Sequence, residues 1–304
     1  MRRWWAWGVA GAVALALSGC GKPAGVDGDL TNAWPAFEKA KTPVPVVGAC
    51  YPDEYDSTWH GDFDSAVDCK VASHQTETVY VGTFTAADAD RSAPPLAGSS
   101  SRKAAYSQCQ KAATEYLGGE WQSGKVFLGL VLPDDKAWAG GARWYRCDVT
   151  AFKDSNLDIV ATTGSVKDGL RGSGPLGLTC LIVTDDGKNS LTKTEDADCA
   201  QPHNGEFAGI YAAPDGPYQA NQETRRKLAN TGCESIVAHF LGFPGDQALS
   251  RYIGWMALGF DEDQWNLGDR TERCYALAFN GNTVNGARVV GSVKGIKDGA
   301  PKKP

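Results

Sequence analysis

No stretch of this sequence is apolar for the roughly 20 residues that a membrane-spanning helix requires. The nearest candidate, Trp4 to Leu17, covers 14 residues (17 − 4 + 1). An excess of positive charge is missing as well. The formal net charge is −6, which gives the chain no electrostatic reason to seek nucleic acid or anionic lipid. Cys-x-x-Cys does not occur, which removes the usual signature of a thiol–disulfide oxidoreductase. There is no Gly-x-Ser-x-Gly elbow, no phosphate-binding Gly-x-x-x-x-Gly-Lys-Ser/Thr loop, no Gly-x-Gly-x-x-Gly leading from a strand into a helix and no His-Glu-x-x-His. Four common routes to catalysis therefore lack their motifs, and no cofactor is implied.

What is present begins with MRRWWAWGVAGAVALALSGC. Two arginines, a short apolar run and small residues at its end describe an export signal over residues 1–19. Leu17-Ser18-Gly19-Cys20 fits a lipobox, in which Cys20 is diacylated and becomes the new N-terminus. Two acyl chains hold a protein stably at a bilayer, whereas one is marginal. The expected location is the extracytoplasmic face of the cell membrane. Residues 20–43, rich in Gly, Pro and charge, read as a tether interrupted by one short helical pattern, TNAWPAFEKA.

Nine cysteines less Cys20 leave eight, an even number that in an oxidising compartment argues for disulfides. They fall as Cys50, Cys69, Cys109, Cys147 and as Cys180, Cys199, Cys233, Cys274, with gaps of 19, 40 and 38 against 19, 34 and 41. Matched gaps indicate duplication, and the residues between them agree. Asp68-Cys69, His74 and Glu77 answer to Asp198-Cys199, His203 and Glu206. Leu117-Gly118 answers to Leu241-Gly242. WAGGARWYRC at 138–147 answers to WNLGDRTERC at 265–274, and 134–167 against 261–294 gives 12 identities in 34 positions. The copies are placed at 44–171 and 174–298, with a tail at 299–304. The joint between them is so short that the two should pack together.

Each copy reads in the same order. An opening apolar strand (VPVVGACY; LGLTCLIV) leads to an acidic loop and a short strand through Asp-Cys. The His-x-x-Glu turn, another strand (TVYVGTF; FAGIYAA) and a Pro/Gly-bearing loop follow. A helix then carries the third cysteine: SRKAAYSQCQKAATEYLG in one copy, NQETRRKLANTGCESIVAHFLG in the other. Its apolar residues recur at helical spacing, and Gly118 and Gly242 stand where a helix stops. Strands follow at KVFLGLVLP and RYIGWMALGF, then through Arg-Cys, then at Gly-Ser-Val-Lys. The fold class is α+β, each copy a mainly antiparallel sheet with one packed helix.

Four cysteines allow three pairings. The favoured one joins Cys50 to Cys69 and Cys109 to Cys147, with Cys180–Cys199 and Cys233–Cys274 to match. It ties neighbouring strands together and then the helix to the sheet, and each bridge is typically worth about 2–4 kcal/mol. His74 with Glu77 and His203 with Glu206 admit two readings: metal ligands or an acid–base couple, or a hydrogen-bond cluster with Arg143 and Arg270 beneath a turn. The second is favoured, because no third ligand repeats and His60 and His239 have no counterparts. Trp138 and Trp265 either line a pocket or plug the core edge with their N–H groups bonded. Of the two arginines after each Trp, one is expected to pair with a carboxylate and the other to be solvated.

Taken together, Asp-Cys-(x)n-His-x-x-Glu, the helix-borne Cys with its Leu-Gly, and Trp-x-x-Gly-x-Arg-x-x-Arg-Cys resemble the actinobacterial septum-formation domain family. The first copy departs from the pattern, with Ser73 where the second has Pro202 and with one extra residue there. The resemblance implies a tandem lipoprotein of the cell envelope connected with division septa, with no established reaction or ligand. The expected function is non-enzymatic: a binding surface offered to a cell-wall or membrane-protein partner. The alternative is a metal-dependent or acid–base enzyme of the envelope built on the His-x-x-Glu pairs.

Overall fold

Two separate stretches of β-branched and aromatic residues form two antiparallel sheets in the computed structural model, each overlaid by one long helix. The structure describes residues 42–52, 65–153, 158–187, 191–247, 250–259 and 261–304. The signal segment, Cys20 and the TNAWPAFEKA pattern lie outside the described residues. Among the described residues, no helix is long and apolar enough to cross a membrane.

The first sheet takes β1 (Cys50–Tyr51), β2 (Thr76–Thr83), β3 (Val126–Val131) and β4 (Trp144–Ala151) in the order β1-β2-β4-β3. The second takes β5 (Cys180–Asp185), β6 (Leu191–Ala197), β7 (Gly205–Ala212), β8 (Ile253–Gly259) and β9 (Thr271–Ala278) in the order β6-β5-β7-β9-β8. With β6 set aside, the two orders are the same. Both copies also carry a bulge at one place, between Thr78 and Tyr80 in β2 and between Phe207 and Gly209 in β7. A bulge sharpens the local twist and re-aims the strand, which lets each strand wrap beneath its helix.

Helix α1 (Ser100–Leu117) buries Ala105, Tyr106, Cys109, Ala113 and Leu117. The Ser99 side chain caps its start by accepting from the Arg102 amide. Helix α3 (Gln222–Leu241) buries Ala229, Gly232, Cys233, Val237, Ala238 and Leu241, with Asn221 in the capping role. Both end on a glycine in the left-handed region, Gly118 at φ 77° and Gly242 at φ 89°, where a side chain would be strained.

Four disulfides join Cys50–Cys69, Cys109–Cys147, Cys180–Cys199 and Cys233–Cys274, with Cα separations of 5.1–5.4 Å. The second and fourth fasten α1 to β4 and α3 to β9 at the centre of each core, where all four sulfurs are buried. The other two hold the turn after Asp68 or Asp198 against the first strand of its sheet.

Three local readings are corrected. The acidic stretch of the second copy is not all loop, since Leu191–Ala197 pairs with β5 as β6. Alternating threonines and charges suit a half-exposed edge. The Asp-Cys segments are turns, not strands. Gly-Ser-Val-Lys is also irregular in both copies; isolated bridges, among them His74 to Thr162 and His203 to Val289, precede it. Its backbone is held by a side chain instead.

The copies meet along one side of the first sheet. Lys125 N donates to Leu176 O at 2.7 Å and Leu178 N to Ser123 O at 2.9 Å, so the start of the second copy runs beside the end of the first. Lys125 also pairs with Asp196 at 2.7 Å.

Candidate functional site

The residues written twice sort into three clusters. In the first, Glu77 sits on β2 with 1 % exposure. Its Oε1 accepts from Tyr116 Oη at 2.5 Å and Ser165 Oγ at 2.6 Å, and its Oε2 accepts from the Val166 amide at 2.7 Å. Glu206 repeats this on β7. It accepts from Ser292 Oγ at 2.5 Å and from the Val293 amide at 2.7 Å. The glutamates therefore bind the Gly-Ser-Val-Lys turns, which explains why both motifs recur together. Phe240 stands at the place of Tyr116, so the second copy lacks the phenol. The Tyr116 phenol is pushed up to about 12 by burial and by its bond to Glu77.

The histidines are buried beside these glutamates and clamp the same turns through their backbones. His74 N donates to Thr162 O at 2.9 Å, and His203 N to Val289 O at 3.0 Å. In the rings, Nδ1 donates to a carbonyl two residues back, Ala72 O at 3.2 Å and Gln201 O at 2.8 Å. The Nε2 atoms of both are buried with no hydrogen-bond partner among the described residues.

Potential ligand atoms do gather here: Cys50, Cys69 and His74 in one copy, and Cys180, His203 and Glu206 in the other, lie within 4.8 Å of one another. The set does not fit a metal. The cysteines are consumed in disulfides, and both Glu206 oxygens already accept hydrogen bonds. One imidazole nitrogen falls short of the three protein ligands that even an open catalytic zinc site uses.

The second cluster is the Trp–Arg pair. Trp138 lies on the short helix α2 (Asp135–Ala139) and Trp265 on α4 (Glu262–Leu267), each started by an aspartate cap, Asp134 or Asp261. The acids before each Trp thus serve the helix start. Trp138 Nε1 donates to Arg91 O at 2.8 Å and Trp265 Nε1 to Gly216 O at 2.9 Å. Both rings are buried. Arg143 stacks 4.3 Å over Trp138 and donates to Ala89 O at 2.6 Å. Arg270 lies 5.8 Å over Trp265 and pairs with Asp215. One expectation changes accordingly: Arg143 and Arg270 do not join the His–Glu cluster, because they fasten the Pro/Gly-bearing loop to the Trp. Of the two readings of Trp138 and Trp265, the structure shows the plug at the core edge with its N–H bonded.

The third cluster separates the copies, and sequence reasoning missed it. Arg146 on β4 and Arg273 on β9 occupy one position of the repeat. Arg146 is fully buried, with Nε 2.8 Å from Asp148 Oδ2 and its guanidinium 4.6 Å from the Tyr51 ring centroid. Thr78 Oγ1 donates to Asp148 Oδ1 at 2.7 Å, and Thr76 lies 3.2 Å from Thr150. Burial drives the Asp148 carboxyl above its usual range, against the opposing pull of Arg146 and Thr78. In the second copy Gly205, Phe207, Tyr275 and Leu277 replace Thr76, Thr78, Asp148 and Thr150. That face becomes an apolar core with Leu181, Val183 and Met256. Arg273, without an aspartate, turns to the first copy and donates to Gln122 O, Gly124 O and Val126 O, each at 3.0 Å. Neither arginine is solvated, contrary to the expectation for one of each pair. The signal was Asp148 against Tyr275, two residues beyond the shared arginine.

His239 is exposed and lies 3.7 Å from Asp246. His60 lies outside the described residues.

Two disulfide-stapled sheet-and-helix halves, with their shared polar residues turned inward as fasteners, define a duplicated α+β protein. The chain matches the family model described as "Septum formation" over residues 47–274, three quarters of its length, and it belongs to that family. The match runs as one span through both repeats. No curated protein and no solved structure matches the chain.

Proposed function

We propose that this protein is a lipid-anchored component of the outer face of the cell membrane that acts in septum formation by binding a cell-wall or membrane-protein partner, without catalysing a reaction. The family carries the septal part of this reading. The lipobox at Leu17–Cys20 and the pairing of all eight remaining cysteines support an extracytoplasmic site.

The observation that carries the non-enzymatic part is the use made of the repeated polar residues. Glu77 and Glu206 have both oxygens engaged by one turn, and Arg143 and Arg270 are held against buried tryptophans. A general acid or base needs its proton-carrying atom within reach of substrate, and these atoms face inward. Binding then falls to the surface between the fasteners, not to the fasteners themselves.

Depletion of the chain in its native host tests the reading. Delayed or misplaced septa are expected, restored by the wild-type chain and not by Cys20→Ala. Normal septation after complete depletion would remove the septal role. Full rescue by Cys20→Ala would remove the anchor.

A further inference from the structure

We propose that each copy carries a latent zinc site at its first disulfide, formed when a dithiol reductant opens Cys50–Cys69 or Cys180–Cys199. The ligands are Cys50, Cys69 and His74 in one copy and Cys180, Cys199 and His203 in the other. This goes beyond the septal reading and does not depend on it.

The histidines are already set as metal ligands. Nδ1 of each ring meets a backbone carbonyl, Ala72 O or Gln201 O, and a carbonyl can only accept. The ring proton is therefore on Nδ1, and the neutral imidazole keeps a bare lone pair on Nε2. A metal-bound histidine commonly donates its other N–H to a carbonyl in this way. His74 and His203 are 1 % and 0 % exposed, and neither Nε2 has a partner among the described residues. A buried acceptor left unanswered lowers stability, yet the arrangement is written at the same place in both copies.

The sulfurs complete the set. A ligand atom from each of Cys50, Cys69 and His74 lies within 4.8 Å of the others, and Cys180 stands likewise to His203 and Glu206. Zinc–sulfur bonds of about 2.3 Å and zinc–nitrogen bonds of about 2.0 Å place tetrahedral ligands about 3.5–3.8 Å apart. Little more than the opening of the S–S bond is needed. With the bridge closed, one imidazole cannot hold the ion. Two thiolates and an imidazole supply the three protein ligands of an open zinc site.

The backbone keeps these ligands together without the bridge. Cys50 O accepts from Val67 N at 2.8 Å and Cys69 O from Gly164 N at 2.6 Å, while His74 and Thr162 exchange two hydrogen bonds at 2.9 and 2.8 Å. In the second copy Cys199 O accepts from Gly291 N at 2.8 Å, and His203 and Val289 exchange a pair at 3.0 and 2.8 Å. These are also the bridges a reductant can reach. Cys69 and Cys199 are half-buried on surface turns, whereas Cys109, Cys147, Cys233 and Cys274 are fully buried. Exposed disulfides are the labile ones, so the helix-to-sheet staples hold the fold while the outer pair opens.

The step balances. The dithiol gives two electrons and two protons to each bridge and leaves as a disulfide. The two protein thiols then release both protons as Zn²⁺ takes their thiolates, and the histidine enters neutral.

Treating the full-length chain in detergent with a small dithiol, and then with zinc or cobalt(II), tests this. Alkylation mapping should find Cys50, Cys69, Cys180 and Cys199 free and the other two bridges intact. The reduced chain should hold two metal ions and the oxidised chain none. His74→Asn keeps a donor for Ala72 O and removes Nε2, so it should halve the metal bound, as should His203→Asn. X-ray absorption on the zinc-loaded wild type provides a measurement free of any folding defect in the variants, and should show two sulfurs and one imidazole nitrogen per ion. Prior opening of the buried bridges, a reduced wild type that binds no metal, or variants that bind as much as the wild type would overturn the proposal. So would a zinc shell without imidazole.

Discussion

Arg273 of the second copy donates through Nη2 to the Val126 carbonyl of the first at 3.0 Å and seals the edge of β3 with it. Its counterpart Arg146 is paired within the first copy, with Nε 2.8 Å from Asp148 Oδ2. One arginine position thus serves a core in one copy and a joint in the other. Burial lowers the tendency of Arg273 to hold its charge, and three carbonyls answer that cost.

Arg273→Met should therefore loosen the joint while sparing both cores. Hydrogen bonds to a charged group are worth about 1.5–3 kcal/mol each, so the melting temperature should fall by several degrees. Limited proteolysis should newly cut near residues 171–178, where the copies join. An unchanged cleavage pattern would show that the joint does not depend on this side chain.

Glu77→Ala and Glu206→Ala should both release a Gly-Ser-Val-Lys turn, but not equally. Glu77 accepts three hydrogen bonds and Glu206 two, since Tyr116 has no phenolic partner in the second copy. Stranding buried donors costs about 1–3 kcal/mol each. Denaturant unfolding should rank Glu77→Ala as the more damaging change. The reverse ranking would show that the phenol adds nothing.

Glu272 makes stability depend on pH. One carboxylate oxygen, Oε2, is buried without a partner among the described residues, and burial raises the carboxyl from 4.5 to about 8. A carboxyl whose value is raised in the fold binds its proton more tightly there than in the unfolded chain. Its contribution is thus greatest below about 4.5 and is lost as pH climbs towards about 8. Glu272→Gln should stabilise the protein by about 2 kcal/mol at pH 8 and change little at pH 4. Parallel stability–pH curves for the two proteins would refute this.

Trp138→Ala and Trp265→Ala should act on the fold. Both rings are buried and bonded to loop carbonyls, so each change should cost about 3–5 kcal/mol. Trp138→Phe should recover most of the packing but not the bond to Arg91. A Trp variant of wild-type stability would contradict this placement.

Much of the architecture was legible because duplication writes the same constraint twice. Cysteine gaps, apolar helical spacing and the glycines after Leu117 and Leu241 located α1, α3 and their bridges. The strands β2, β3, β7 and β8 read correctly from apolar runs. What escaped was the pairing of distant groups. Glu77 and Ser165 are 88 residues apart, and nothing local to either announces the other, although both halves repeat the two motifs together. The short helices that carry Trp138 and Trp265 went unread, because five or six residues are too few to show an apolar period and only the caps Asp134 and Asp261 mark them. Arg146 and Arg273 were indistinguishable by motif, since their roles are set by a neighbour across the strand's own face.

Two disulfides within each half are the chemical basis of the fold, and a lipid on Cys20 is that of the proposed anchoring. Peptide mapping of the protein taken unreduced from its native membranes measures all nine cysteines together. The expected result is a diacylated Cys20 with bridges Cys50–Cys69, Cys109–Cys147, Cys180–Cys199 and Cys233–Cys274. Free thiols at those eight positions, or bridges that cross between the copies, would contradict it.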